Sequence, residues 1–438
     1  MRVLFVEPFG HREGHPSFES RRVSYALVDA GAEITLLTFM GVHGDWADTE
    51  GKVAHVALFR PRRSARAYYK YLDRFPIVRS LLKILETSLS VSFALWKNRK
   101  SQYDVIHIFD SEPVFFVSLA LGFFLSGYNI VFTVYNPPPP QENWRENVKE
   151  FLRTRKWRIL LHTLAYQLGE SDVGTRLRSL IYRRAMKRNN VLHICHTEEL
   201  VQSYASYMGG VFRGRFVCIP LGVERPGPEV SKQSARRHLA IPARGKIFLT
   251  FGNNHPGKDF EAIFQAFQGL PRDLIIFQAG KLGTASEEGD PVRLARKYSA
   301  CDNTIVMDVF VPEKDKVYYF SAADAIILSY KKNFIQSASI INDAARFSVP
   351  VIASAVGQVG TFVRTYGLGV TFVPEDPRSL REGILKLLSM SEREREAIRR
   401  NSARFREAYP WDRNARDHLG VYNRLLESDG NGVRSGDS

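Results

Sequence analysis

Short, almost unbroken apolar runs alternate with helix-length amphipathic segments along the chain. In the C-terminal half they are KIFLTF (246–251), DLIIFQAG (273–280), TIVMDVF (304–310), DAIILS (324–329) and PVIAS (350–354). In the N-terminal half they are RVLFVE (2–7), EITLLTF (33–39), VAHVALF (53–59), DVIHIF (104–109), NIVFTV (129–134), NVLHIC (190–195) and RFVCIP (215–220). Runs of this length set between helical patterns predict strands of a parallel sheet covered by helices. The two series predict two α/β domains. Between them IPLGVERPGPEV (219–230) concentrates Pro and Gly, the composition of a linker. The polar, Gly-rich tail 427–438 predicts disorder.

In such a sheet ligands bind outside the carboxyl ends of the strands, so the loops starting at Gly252, Gly280, Phe310, Ser329 and Ser354 share one predicted rim. Gly252 lets backbone approach a ligand closely, and Lys258 stands at the start of a helix predicted over 258–268. After the fourth strand, Gln336, Ser337 and Ser339 lead into a helix predicted over 337–346, whose free N–H groups suit a phosphate or a sugar hydroxyl. Helix caps and first-turn lysines are common for purely structural reasons; their meeting on one rim raises the functional reading.

At FGNNHPGKDF (251–260) and SYKKNFIQSASIINDAARFSVPVIAS (329–354) the chain resembles the C-terminal half of nucleotide-sugar-dependent glycosyltransferases, in particular the large retaining family 4. That resemblance implies two Rossmann-like parallel-sheet domains facing a cleft, the B-type glycosyltransferase architecture. It implies an N-terminal acceptor domain at 1–222, a linker at 223–230 and a donor domain at 231–409. AYPWDRNARDHLGVYNRLL resembles the closing helix of that family, placed at 410–426, where Trp411 and Tyr422 anchor a segment returning to the first domain. Gly252 and Lys258 stand where the family has its glycine and its diphosphate-contacting lysine, whereas Asn253 replaces the usual Arg. Of the two family glutamates, the first position is Ile335 and the second Asp343. The chain is closer to a subgroup in which a Gln-Ser pair, here Gln336 and Ser337, opens the helix. The donor-binding set so implied is Gly252, Asn253, Lys258, Gly280, Phe310, Gln336, Ser337, Ser339 and Asp343, with Lys258 and Ser337 stabilising the leaving diphosphate.

In the N-terminal half the turn PFGHREGHPS (8–17) precedes a helix predicted from Phe18, and the resemblance assigns Gly14 and His15 to acceptor or sugar contacts. Tyr135 takes the place of a family histidine near the sugar; with an ordinary pKa near 10 it is a poor base at neutral pH. His107 lies within an alternating strand and reads as a satisfied core residue. His196, just before a helix capped by Thr197, reads equally as a cleft residue or a structural one.

The net charge of +15 changes the picture of partners. Basic residues crowd 60–100, where only Asp73 and Glu86 oppose them, and crowd again from Arg153 to Arg188. SLLKILETSLSVSFALW (80–96) and KEFLRTRKWRILLHTLAYQL (149–168) are basic amphipathic segments. Each suits either an anionic membrane interface or a helix packed on a sheet. EPVFFVSLALGFFLSGYNIVF (112–132) breaks at Ser126-Gly127, short of the ~20 residues that span a bilayer. No nucleic-acid reading module accompanies the charge. Cys195, Cys218 and Cys301 follow no metal spacing and read as reduced core residues of a cytosolic protein. The N-terminal apolar run is too short for a signal peptide.

These readings converge on a glycosyltransferase. It would move a sugar from a nucleotide diphosphate sugar to a glycan or lipid-linked acceptor at the cytoplasmic membrane face, with retention of configuration. With no Asp-x-Asp anywhere in the chain, no metal is expected and protein cations carry the charge. No cofactor beyond the nucleotide sugar is expected. The alternatives are a non-catalytic sugar-nucleotide-binding scaffold and a nucleotide-sugar epimerase of similar architecture.

Overall fold

The computed structural model describes residues 1–7, 15–38, 53–57, 90–94, 96, 102–109, 126–135, 137, 172–207, 210, 212–282 and 289–432. Gly14 with the rest of the turn at 8–14, most of the segment 80–96 and all of 149–168 lie outside them. The chain divides into two units, one formed by Met1–Pro220 with Trp411–Ser438 and the other by Leu221–Pro410.

The first unit runs β1 (Arg2–Val6), α1 (His15–Asp29), β2 (Glu33–Thr38), β3 (Ala54–Ala57), β4 (Val105–Ile108), β5 (Asn129–Val134), α2 (Asp172–Arg188), β6 (Asn190–Cys195), α3 (Glu198–Tyr207) and β7 (Phe216–Cys218). Among the described residues its seven strands are parallel, in the order β3-β2-β1-β4-β5-β6-β7.

The second unit runs α4 (Lys232–His238), β8 (Lys246–Phe251), α5 (Phe260–Phe267), β9 (Leu274–Ala279), α6 (Pro291–Lys297), β10 (Thr304–Met307), α7 (Lys316–Ala322), β11 (Ala325–Leu328), α8 (Ile340–Arg346), β12 (Val351–Ser354), α9 (Gly357–Tyr366), β13 (Gly369–Phe372), α10 (Pro377–Leu388) and α11 (Glu392–Ala408). Its strands are also parallel, in the order β10-β9-β8-β11-β12-β13. The last helix, α12 (Trp411–Gly432), belongs to the first unit.

Strands read as continuous apolar runs are buried on both faces: Val3 to Val6 and Ile247 to Phe251 are all buried. In the first unit Phe5, Val105, Val131 and Ile194 pack with Val23 and Leu27 of α1 and with Ala415, Tyr422 and Leu425 of α12. The anchors of α12 stand at Trp411, Ala415, His418, Tyr422 and Leu425, a stripe at helical spacing that seats it on its sheet. Each such fully buried large side chain contributes about 1.5–3 kcal/mol by leaving water. In the second unit Asp259 caps α5 by accepting from Ala262 N at 3.0 Å, and Ser391 and Glu394 form a reciprocal cap on α11.

The structure departs from the sequence pattern in several places. Strand β13 was not anticipated; a short run with alternating burial, it gains its ladder only by pairing with β12 at the sheet edge. Helix α1 starts at His15 rather than Phe18, α5 at Phe260 rather than 258, and α8 at Ile340 rather than 337. Helix α12 runs beyond 426 to Gly432, the backbone ladder propagating past its last apolar anchor. Cys301 is exposed in a short turn and is no core residue. Among the described residues no helix is long and apolar enough to cross a membrane.

Candidate functional site

In the second unit the chain leaves β8 toward β9 on one side, while β11 flanks β8 on the other. The connecting segments therefore part at the carboxyl ends of these two strands and leave a crevice there. Two loops line it, 252–259 after β8 and 329–339 after β11. They are stitched together by an antiparallel bridge between Lys258 and Tyr330. Asp259 N donates to Ser329 O at 2.9 Å, and Lys331 N to Gly257 O at 3.0 Å. Ser354 Oγ accepts from Tyr330 N and donates to Tyr330 O, both at 2.8 Å, which fixes the second loop to β12.

The glycines are required by close approach. Gly252 has φ +84° and Gly280 φ +144°, both in the region that favours glycine. A Cβ on Gly280 would overlap the Gly252 carbonyl, so the ends of β8 and β9 could not lie this close with any other residue. A Cβ on Gly252 would stand 3.4 Å from Ile340 Cδ1 and 3.9 Å from Lys258 Nζ. The lysine and the first residue of α8 thus meet over Gly252.

Lys258 lies two residues before α5, not in its first turn, and its side chain turns back over the strand end. Its Nζ donates to Phe251 O at 2.7 Å and Gly252 O at 3.2 Å. Among the described residues no carboxylate pairs with it. Burial of the ammonium without a counter-charge brings its pKa down to about 7. It lines a cavity of about 10 Å³ with Thr250, Phe251, Ser329, Tyr330 and Ile340, room for one water.

Helix α8 starts late because Ser337 does not cap it. The Ser337 hydroxyl donates to Gln358 Oε1 at 3.2 Å, and the first helical bonds go to Ala338 O and Ser339 O. Ser339 occupies the cap position with no side-chain bond. Among the described residues the N–H groups of Ala338, Ser339 and Ile340 meet no acceptor, as at the open start of a helix.

Other residues assigned by the sequence fall elsewhere. Both carboxylate oxygens of buried Asp343 accept from Lys316 Nζ, at 3.2 and 2.9 Å. Lys316 also pairs with Glu313, and Glu313 with Arg346. Burial pushes the Asp343 carboxyl up against the pull of Lys316. Asp343, which the resemblance assigns to donor binding, is here held in an ion pair by Lys316, one helix away. Asn253 is exposed. Phe310 is half-buried after β10, at the far edge of the sheet from β11. Gln336 is half-buried in the loop before α8.

Residues 231–405 match the model of the family described as glycosyl transferases group 1. The second unit is a glycosyltransferase group 1 domain. A 203-residue stretch is 28% identical to D-inositol 3-phosphate glycosyltransferase of Salinispora tropica, covering 44% of this chain and 41% of that protein. The match therefore spans less than half the length of this curated relative. Among solved structures, sucrose-phosphate synthase of Thermosynechococcus elongatus overlays with TM-score 0.66 at 17% identity, covering 98% of this chain and 99% of that one. Anabaena HepE in complex with UDP and glucose overlays with TM-score 0.67 at 13% identity, covering 97% and 100%. At these identities the overlays show the fold: two parallel-sheet, Rossmann-like domains of the B-type glycosyltransferase architecture.

Within the glycosyltransferase domain the structure adds residues that spacing did not reveal. Gln278 is fully buried in β9, where its side-chain oxygen accepts from Thr250 Oγ1 and its Nε2 donates to Gly252 O at 3.3 Å. Gly252 O therefore takes bonds from both Gln278 and Lys258. The signal was present: a glutamine inside LIIFQA, an otherwise apolar strand. His255 accepts from Gly257 N at 3.2 Å and lies near the Tyr330 and Phe334 rings. Burial, then Lys258, lowers its pKa to about 4, so it is neutral at physiological pH.

In the first unit, His196 sits at the end of β6, fully enclosed. Its Nδ1 donates to Ile219 O at 2.9 Å and its Nε2 lies 3.1 Å from Glu19 Oε1 of α1. Glu19 outweighs the cost of burial and holds the His196 pKa above its ordinary value. The Tyr135 ring stands 5.5 Å from it. His107 is buried between Tyr422 OH at 2.6 Å and Thr133 Oγ1 at 2.8 Å, a satisfied core histidine. The side chain of His15 lies outside the described set.

Proposed function

We propose that the protein transfers a sugar from a nucleotide diphosphate sugar to a glycan or lipid-linked acceptor at the cytoplasmic face of a membrane. The observation that carries this reading is Lys258: a cation turned into the switch-point crevice, without a carboxylate partner among the described residues, beside the open amides of Ala338, Ser339 and Ile340. In glycosyl transfer the leaving diphosphate gains charge as the sugar bond breaks. Cationic and amide donors fixed in place before the reaction stabilise that charge without reorganising. The structures of HepE with UDP and with UDP-glucose support the donor class. Retention of configuration follows from the family likeness. Metal independence rests on the lack of an Asp-x-Asp motif, the charge being met by Lys258. The excess of basic residues in the first unit supports an acceptor on an anionic surface and a peripheral cytoplasmic location.

A non-catalytic sugar-nucleotide scaffold is favoured by two observations, the Asp343 carboxylate occupied by Lys316 and the apolar Ile335 at the other glutamate position. A thermal-shift screen of nucleoside diphosphates and their sugars, followed by product analysis, separates the two readings. Binding with sugar transfer or donor hydrolysis is the expected result, binding without turnover supports the scaffold, and no binding removes both. Lys258→Met is expected to keep the fold and cut turnover at least about 100-fold, the scale on which a lost transition-state donor acts; unchanged turnover would refute the diphosphate contact.

A further inference from the structure

The geometry points to a second interaction surface, the outer face of α2, as a docking site for the headgroups of an anionic lipid bilayer. The inference rests on the membrane-facing acceptor proposed above and assigns the contact to particular residues. On α2, Leu180, Arg183, Arg184 and Lys187 stand at i, i+3, i+4 and i+7, one face of a helix, and all are exposed. Ile181, Tyr182 and Ala185 point the other way and are buried. Leu180 is 61% exposed at the N-terminal end of this basic face.

The field extends onto the neighbouring turn. Arg183 Cζ lies 5.8 Å from the Phe212 ring centroid, which places α2 beside the turn Arg213–Arg215. Arg424 of α12 donates to Gly214 O at 2.6 Å and adds a further guanidinium. Among the described residues Arg183, Lys187, Arg213, Arg215 and Arg424 pair with no carboxylate. In the second unit several basic residues do find carboxylates: Lys232, Arg236 and Lys246 share Asp324, Arg346 pairs with Glu313, and Arg399 pairs with Glu392 and Glu396. Attraction to the helix dipole accounts for Lys187 and Arg188 in the last turn, but not for Arg183, for the turn, or for the exposed leucine.

A cationic face with an exposed apolar side chain beside it suits a bilayer surface. The guanidinium and ammonium groups meet headgroup phosphates while the leucine enters the boundary with the acyl chains. A nucleic-acid backbone offers Leu180 no such partner. Because α2 connects β5 to β6, its outer face is a flank of the unit parallel to the strands. Docking there leaves the carboxyl-end rim of that sheet uncovered.

The test is flotation of the full chain with phosphatidylcholine vesicles, with and without phosphatidylglycerol. Wild type is expected to float only with the anionic lipid. R183Q/K187Q should partition about fivefold more weakly for each charge removed, and L180S should lose the part of binding that persists at high salt. R272Q, an exposed change in the second unit, should behave as wild type. Wild type indifferent to phosphatidylglycerol, or R183Q/K187Q floating as wild type, overturns the proposal. So does a DNA duplex whose binding is weakened by R183Q/K187Q while vesicle partition is not. The thermal shift given by UDP should be the same in all variants, since none touches the crevice. If UDP fails to bind wild type while the variants still lose vesicle binding, the donor reading falls and this surface stands.

Discussion

At the scale of single residues, Lys258 sets the expected chemistry. Its ligand-free pKa near 7 lies well below the ordinary lysine value of 10.5. Between those two values the unfolded chain binds more protons than the folded one, so this lysine adds stability as pH rises through that window. A bound diphosphate reverses the balance by favouring the ammonium. Binding above pH 7 should therefore take up close to one proton, and affinity should fall as pH rises. Calorimetry of UDP binding in buffers of different ionisation enthalpy measures the uptake; a value of zero at pH 8 would show that no phosphate meets this lysine. Gly280 makes the second residue-scale case. Gly280→Ala should cost roughly 2–4 kcal/mol in urea unfolding, because a Cβ overlapping Gly252 O forces β8 and β9 apart. A cost below about 0.5 kcal/mol, the range of neutral surface changes, would mean that the loops relax freely.

At the scale of elements, the first unit is tied together by buried histidines with opposite responses to pH. Burial brings His193 down to about 3 and His418 to about 4, and lowers His107 as well. These residues fold neutral, so their contribution is present above pH 6.5 and is lost as pH falls from 6.5 toward those values. His196 has the opposite sign: raised by Glu19, it stabilises at low pH and loses that contribution as pH rises through its folded value. Among the described residues three such groups against one predict net weakening in acid. His418 alone would account for a loss of order 3 kcal/mol by pH 4. Denaturation midpoints between pH 7 and 4 check this, and a flat profile would show that the three rings are not enclosed as described. The pair of His196 with Glu19 links β6 to α1, and the pair of Asp343 with Lys316 links α8 to α7. The first places charge between a strand end and a helix, the second between two helices.

At the scale of the whole molecule, the two units have separate cores and distinct probes. All five tryptophans, at 46, 96, 144, 157 and 411, fall within the chain segments of the first unit. Tryptophan fluorescence therefore follows that unit, while calorimetry follows both. A nucleotide held by Lys258 and the α8 entry is expected to raise the calorimetric transition of the second unit and to leave the fluorescence transition in place. A fluorescence midpoint that moves with UDP would show that the units unfold as one.

The two sheets were legible from the alternation of apolar runs with amphipathic segments, because burial on both faces of a parallel strand leaves a local imprint. Gly252 and Lys258 were legible for a similar reason: a glycine at a strand end and a lysine a few residues on form one short loop. The same local reading placed His107 in the core. Only the folded chain decided that Lys258 turns back to two carbonyls, that Ser337 bonds Gln358 rather than capping α8, and that Asp343 belongs to Lys316. It also decided that His196 meets Glu19 and that β13 completes a sheet. Each of these depends on partners brought together from distant parts of the chain. Periodicity reports which face of an element is buried, whereas the choice of a charged or polar partner is made by packing between elements.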